Sequence, residues 1–288
     1  MALNFLGMCS PPVGNGDKQA RAEINVKLFS NWRDVPIATL LTEGINQFAV
    51  RFARTVLPGV IERRQRVLPV GIRNLEQLTE LGNGPFLVEG DVSQFGPTAR
   101  VRITVRNMQS GTSALLMKAE VAVAAAGDAA VLDGTSAHAN SVMPLLWDVN
   151  EESLFRPVEP FGQTDRFDFE VNPACPLLEE HFPGFPVAPG SLVLAFVWEQ
   201  AARRLGVRAP YLRIDDARFV RPVTPGNSYT CTLREQTTAG KPGRYRFTLT
   251  AQDGTVHTQG MFHFSAASTT QPETRQNQAQ QQETEVPA

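Results

Sequence analysis

The sequence predicts an α+β protein in which one arrangement occurs twice in succession: a strand, a long helix, then four more strands. Two observations carry this. Apolar residues recur at helical spacing in two long segments, residues 34–54 and about 190–205. Strand-like runs, separated by turns rich in Gly, Asn, Pro and Ser, then follow each helix consecutively. A parallel sheet would interleave strands and helices throughout, so consecutive strands imply an antiparallel sheet holding one central helix in each half. Similarity between the halves is weak residue by residue, and the duplication rests on the order of elements.

The first half opens with the strand ARAEINVKLF (20–29). Helix DVPIATLLTEGINQFAVRFAR (34–54) follows. Pro36 suits a first helical turn, and Ile37, Leu40, Leu41, Ile45, Phe48 and Phe52 share a face. Gly44 is an internal interruption of that helix. Strands RVLPVGIRNL, PFLVEGDVSQF, ARVRITVRNM and SALLMKAEVAVA complete residues 1–126 as one domain. Residues 127–165, rich in Ala, Gly, Ser and Pro, read as a linker. The second domain, 166–266, has the strand RFDFEV (166–171), a helix over 190–205, and strands YLRIDDARFVRPV, SYTCTLREQ, RYRFTLTAQ and VHTQGMFHFSA. The polar, Gln- and Glu-rich residues 267–288 have too few apolar side chains to order themselves.

Composition narrows the function classes. The chain has 288 residues, 42% of them apolar, and a net charge of −2, so no basic surface argues for nucleic acid or an anionic membrane. The three cysteines, Cys9, Cys175 and Cys231, are odd in number and widely spaced, which indicates neither a disulfide framework nor a metal site. No apolar run reaches the ~20 residues that span a bilayer, and the N-terminus lacks the basic and apolar segments of a secretory signal. A cytoplasmic protein without metal or redox cofactor is the expectation.

The chemistry-bearing stretch is HFPGFPVAPGSLVLAFVWEQ (181–200), which sets a histidine in a turn of aromatics, prolines and glycines before an apolar helix. HFPGFPVAPG resembles the signature of the β-hydroxyacyl carrier-protein dehydratases of the hotdog-fold superfamily. The preceding NPACPLLEE and the later ARFVRPVTPGN are similar to their flanking segments, so the resemblance covers roughly residues 167–264. It implies that each half is a hotdog and the chain a double hotdog, or fused pseudo-dimer. It also implies that His181 removes the C2 proton of a thioester substrate. In that family an acid on the central helix, fourteen positions after the histidine, protonates the departing 3-hydroxyl. Here that position is Ala195.

Two acids are candidates for the missing partner. Glu199 lies one turn beyond Ala195 on the same face, at a position where family members usually carry glutamine. An ion pair with Arg203 is its plainer role. Glu43 and Gln47 of the first helix reproduce the family's acid and its glutamine four positions on. The first half has no histidine. One half thus offers an acid without a base, the other a base without an acid. In homodimeric dehydratases each site joins the histidine of one subunit to the acid of the other, so the resemblance implies one composite site of His181 and Glu43. Fused dehydratase domains of polyketide synthases also keep one site, with the histidine in the first half; here the order is reversed.

Elimination of water needs a base, an acid and a donor to the thioester oxygen. An unperturbed imidazole titrates near ~6.5, within the working range. Glu43 needs burial to raise it from roughly 4.3 so that it carries a proton, and Gln47 is placed to orient it. The backbone N–H of Gly190, at the start of the second helix, is the candidate oxyanion donor. Phe182, Phe185, Phe196 and Trp198 line an acyl pocket on the functional reading, and pack between sheet and helix on the plainer one. His257 and His263, within strands, are expected to be structural. The substrate is then an acyl chain on the phosphopantetheine of an acyl carrier protein or of coenzyme A. The alternatives are a hotdog acyl thioesterase, in which a helix acid activates water, and a non-catalytic acyl-carrier-binding protein. A pseudo-dimer need not associate further, and a homodimer of such protomers stays open.

Overall fold

The computed structural model describes residues 7–14, 18–26, 35–57, 67–82, 84–108, 114–125, 153–158, 165–181, 186–207, 211–236 and 243–264, excepting the side chains of residues 179 and 180. Residues 127–152 and 159–164 of the expected linker, and the tail 267–288, lie outside them.

The strands are β1 (Val13–Gly14), β2 (Gln19–Ile24), β3 (Val67–Gln77), β4 (Phe86–Phe95), β5 (Thr98–Asn107), β6 (Leu115–Ala125), β7 (Phe155–Pro157), β8 (Arg166–Val171), β9 (Arg213–Phe219), β10 (Ser228–Glu235), β11 (Arg244–Ala251) and β12 (Val256–His263). The helices are α1 (Ile37–Val56), α2 (Leu177–His181) and α3 (Gly190–Leu205). All strands join one sheet of order β1-β2-β4-β5-β6-β3-β9-β12-β11-β10-β8-β7, with every pairing antiparallel. Numbered within each half, β2 to β6 and β8 to β12 follow the same order, first-third-fourth-fifth-second. The halves join where their second strands pair, Ile72 opposite Ala217 and Glu76 opposite Arg213.

Both long helices start directly after a proline, Pro36 and Pro189, whose missing N–H costs nothing at a helix start. Helix α1 sets Leu41, Ile45, Phe48 and Phe52 with the inward strand residues Val88, Val101 and Val121 in one core; each such side chain contributes roughly 1.5–3 kcal/mol. Gly44 does not interrupt the helix. A Cβ there would lie 2.7 Å from Ile24 Cγ2, so the glycine lets β2 approach the helix closely. In the second half Phe155, Phe167, Phe169 and Phe196 form an aromatic core, and Phe247 stacks on Phe262 at 4.3 Å.

Three elements were not anticipated. Strand β7 falls within the segment read as linker. It is an edge strand held by pairing with β8 and by the burial of Leu154 and Phe155. Strand β1 and helix α2 are too short to leave a periodic signature. Across the seam an ion-pair ladder runs from Lys118 through Glu76 (2.7 Å) and Arg213 (3.4 Å) to Asp215 (3.9 Å) and Arg244. Its members are partly exposed, so each pair contributes at most about 1 kcal/mol. Among the described residues no helix is long and apolar enough to cross a membrane.

Candidate active site

His181 ends α2, whose Leu177 and Leu178 are buried and tie the turn to the core. The imidazole is 8% exposed. Its Nδ1 lies 3.2 Å from the carbonyl oxygen of Val187. A carbonyl only accepts, so Nδ1 carries the proton and the lone pair of the neutral ring is on Nε2. Burial pulls the imidazole down to about 4, against the opposing effect of the Val187 bond. His181 is therefore neutral at pH 7, the form a base requires.

Glu43 is on the second turn of α1 and is 5% exposed. Gln47 Nε2 donates to its Oε1 at 3.0 Å, and Ser191 Oγ donates to its Oε2 at 2.6 Å. Gln47 is itself fixed, because its Oε1 accepts from the backbone N–H of Cys9 at 3.2 Å. Arg51, one turn further on, donates to the Cys9 carbonyl. Burial pushes the Glu43 carboxyl up to about 7, and the Ser191 and Gln47 bonds restrain the rise. Most helix glutamates face solvent; Glu43 does not. Thr39, Thr42, Asn46 and Gln47 are buried with it, and the Asn46 side-chain oxygen has no hydrogen-bond partner among the described residues.

His181 and Glu43 are anchored to the same five residues. Val187 accepts from the histidine and Ser191 donates to the glutamate. The anchors are four positions apart, a reach of at most about 14 Å even if the chain were fully extended. Gly190 lies between them as the first residue of α3, where backbone N–H groups have no partner within the helix. The structure supplies its own reason for this glycine: a Cβ would lie 2.7 Å from the Phe219 ring.

The remaining expectations divide. Ala195 is buried on α3, 7% exposed, and supplies no acid. Glu199 is ion-paired with Arg203, one turn on, at the partly exposed surface. It stands about 12 Å along the helix axis from Ser191, by the 1.5 Å rise per residue. Phe196 is not a pocket wall. It faces its own sheet, stacks on Phe155 at 4.7 Å, meets Phe169 edge-on at 4.9 Å and is 1% exposed. Trp198 is partly buried and packs against Phe264 at 5.8 Å, the plainer of its two expected roles. Phe182 and Phe185 lie outside the described residues. His257 accepts a structural role: its Nδ1 donates to the Pro222 carbonyl at 2.6 Å and its ring packs edge-on against Tyr229. Two surface recesses, of about 760 and 480 Å³, are lined by strand residues such as Arg102, Lys118 and Arg218, and neither includes His181 or Glu43. Ser191 escaped the sequence reading. Its one local signal is a hydroxyl at the head of an otherwise apolar run.

Residues 160–261 match the ApeI-like family, described as ApeI dehydratase. The 3-hydroxyacyl-(acyl-carrier-protein) dehydratase FabZ of Polynucleobacter asymbioticus is 35% identical over 89 residues, 28% of this chain and 58% of that one. The FabZ of Herpetosiphon aurantiacus is 32% identical over 97 residues, 31% of this chain and 68% of that one. The chain thus spans 58% of the length of the first of these relatives and 68% of the second. Two solved structures align with both halves at a TM-score of 0.50 and 10% identity. An inactive mutant of the CurJ dehydratase in complex with compound 21 covers 91% of this chain and 97% of its own. An acyl-ACP thioesterase from Bacteroides thetaiotaomicron covers 85% and 97%. At that identity they show the fold alone, which is of the hotdog type.

Proposed function

The chain belongs to the family of the 3-hydroxyacyl-(acyl-carrier-protein) dehydratases, and from that premise we propose that it eliminates water from a 3-hydroxyacyl thioester to give the 2-enoyl thioester. The observation that supports this best is the convergence of a neutral imidazole from one half and a buried carboxyl from the other on residues 187–191. On this reading the molecule is a double hotdog, residues 1–126 and 166–266 are its two units, and the site belongs to both.

The reaction then runs as follows. His181 Nε2 takes the C2 proton, and the electron pair left behind moves toward C3. The N–H of Gly190 stabilises the charge that spreads onto the thioester oxygen. Glu43 in its acid form gives its proton to the 3-hydroxyl, the C3–O bond breaks and water leaves. A carboxyl near 7 and an imidazole near 4 suit these roles at neutral pH, since each is present in the form its step needs. The substrate's carrier is a phosphopantetheine arm, on an acyl carrier protein or on coenzyme A.

Mass spectrometry of a panel of 3-hydroxyacyl thioesters tests the proposal, with wild type beside His181→Ala, Glu43→Gln and Glu199→Gln. Loss of one water, abolished by the first two changes and kept by the third, is the expected result. Release of free acid would make the protein a thioesterase instead.

A further inference from the structure

We infer that Ser191 is the positioning residue that carries the acid of the first half into the site of the second. This rests on the dehydratase reading above. Three observations support it.

The first is the bond itself. Ser191 Oγ and Glu43 Oε2 are 2.6 Å apart across a sequence separation of 148 residues. Serine is 1% exposed and glutamate 5%, so water does not substitute for the contact. The distance falls in the range of charge-assisted O–H···O bonds. A serine early in a buried helix often turns back onto its own backbone; this one donates to the opposite half.

The second is its place in the chain. Ser191 follows Gly190 directly and stands four residues after Val187, whose carbonyl fixes His181. A single segment thereby indexes the base, the proposed oxyanion donor and the acid. Gln47 fixes the acid within its own half. Ser191 ties it to the half that holds the base.

The third is the chemistry of a hydroxyl. When Glu43 is protonated, the serine oxygen can accept from the carboxyl. Once Glu43 has given its proton to the leaving hydroxyl, the serine O–H donates to the carboxylate. The contact strengthens as negative charge grows on Glu43, so it favours the transition state over the ground state. Alanine offers neither bond.

The experiment compares wild type, Ser191→Ala and Ser191→Thr in full-length protein. Turnover is followed against pH, and the Glu43 carboxyl is titrated by infrared difference spectroscopy with Glu43→Gln as the blank. Burial and the Ser191 and Gln47 bonds set the Glu43 titration. Among the described residues the charged and titratable groups further along this network are the guanidinium of Arg51 and Cys9, whose thiol burial holds up to about 12 and so neutral in the range read. His181, near 4, is also constant there. The expected result for Ser191→Ala is a fall in kcat on the order of tenfold to a hundredfold, the usual effect of losing a hydrogen bond to a charged group. KM stays within a few-fold, and both the carboxyl titration and the alkaline limb of the rate profile move above 7. Ser191→Thr keeps the hydroxyl and restores the titration toward wild type. An unchanged titration point in Ser191→Ala overturns the inference, whether or not turnover falls. If no thioester is turned over by wild type, the dehydratase reading fails, while the infrared titration still decides whether Ser191 governs Glu43.

Discussion

Helices α1 and α3 occupy equivalent places in two halves of identical strand order, yet they carry opposite equipment. Helix α1 buries a polar stripe of Thr39, Thr42, Glu43, Asn46 and Gln47. Helix α3 is apolar along its buried face save for Ser191 and Gln200, and has alanine where an acid is expected. Its half supplies the histidine. The topology repeats because hydrophobic spacing alone specifies it, and many sequences satisfy that spacing. The polar groups do not repeat, because a buried carboxyl or imidazole is costly unless partnered and one proposed site needs only one of each. On the proposed reading, the difference teaches that a repeated strand order divides a reaction between its copies without altering either scaffold.

The largest test of that division is removal of either member. His181→Ala or Glu43→Gln is expected to reduce kcat/KM on the order of 100- to 10,000-fold. The double variant should be scarcely worse than the more damaged single one, since groups that act as a unit are not additive. Full multiplication of the two losses in steady-state assays would mean that they serve different sites.

A sharper test transplants the acid. Glu43→Gln with Ala195→Glu is expected to stay as inactive as Glu43→Gln alone. The position fourteen residues before Glu43 is Phe29, so the first half has no base for an acid on α3 to work with. Recovery of turnover in the double variant would place the whole reaction in the second half.

Acidity gives a smaller and opposed pair of effects. Glu43 is raised from 4.5 to about 7. The stability it allows is complete below its unfolded value and is lost as pH rises through about 7. One pKa unit corresponds to about 1.4 kcal/mol, so at pH 8 the cost is on the order of 3 kcal/mol. Glu43→Gln should therefore melt higher than wild type at pH 8, with the gap closing toward pH 4.5. His181 is lowered from 6.5 to about 4; its contribution is complete above 6.5 and is lost as pH falls through about 4. Thermal melts from pH 4 to 9 check both signs, and a Glu43→Gln variant no more stable than wild type at pH 8 would break the assignment. The rate profile should be bell-shaped, with limbs near the same two values.

The smallest effect is expected at Glu199. Its partly exposed pair with Arg203 contributes about 0.3–0.5 kcal/mol. Glu199→Gln should leave turnover unchanged and shift chemical denaturation by no more than that. Abolished turnover would return the acid to α3.

Much of the fold was legible. The Pro189-Gly190 pair and the apolar spacing to Leu205 bound α3 at both ends, and strand β8 falls where RFDFEV predicts. Strand β7 was hidden because three residues at a sheet edge have no period, and only pairing with β8 makes them a strand. His181 stood out through the turn around it, and Glu43 through a glutamine one helical turn away. Ser191 was illegible because its partner lies 148 residues off. Phe196 misled for a related reason: an aromatic on a helix suits a pocket or a core equally, and the aromatic neighbours that decide the matter are Phe155 and Phe169 on other elements.

The antiparallel pairing of β3 with β9 has a consequence for how the protein behaves as it is diluted. Where acid and base reside on separate chains, the fraction of complete sites follows mass action and falls as subunits dissociate. Here the seam joins strands of one polypeptide, Gly71 against Arg218 and Glu76 against Arg213, so the local concentration of one half around the other is set by the connecting chain rather than by the test tube. A site composed across that seam keeps its specific activity at any concentration that leaves the chain folded.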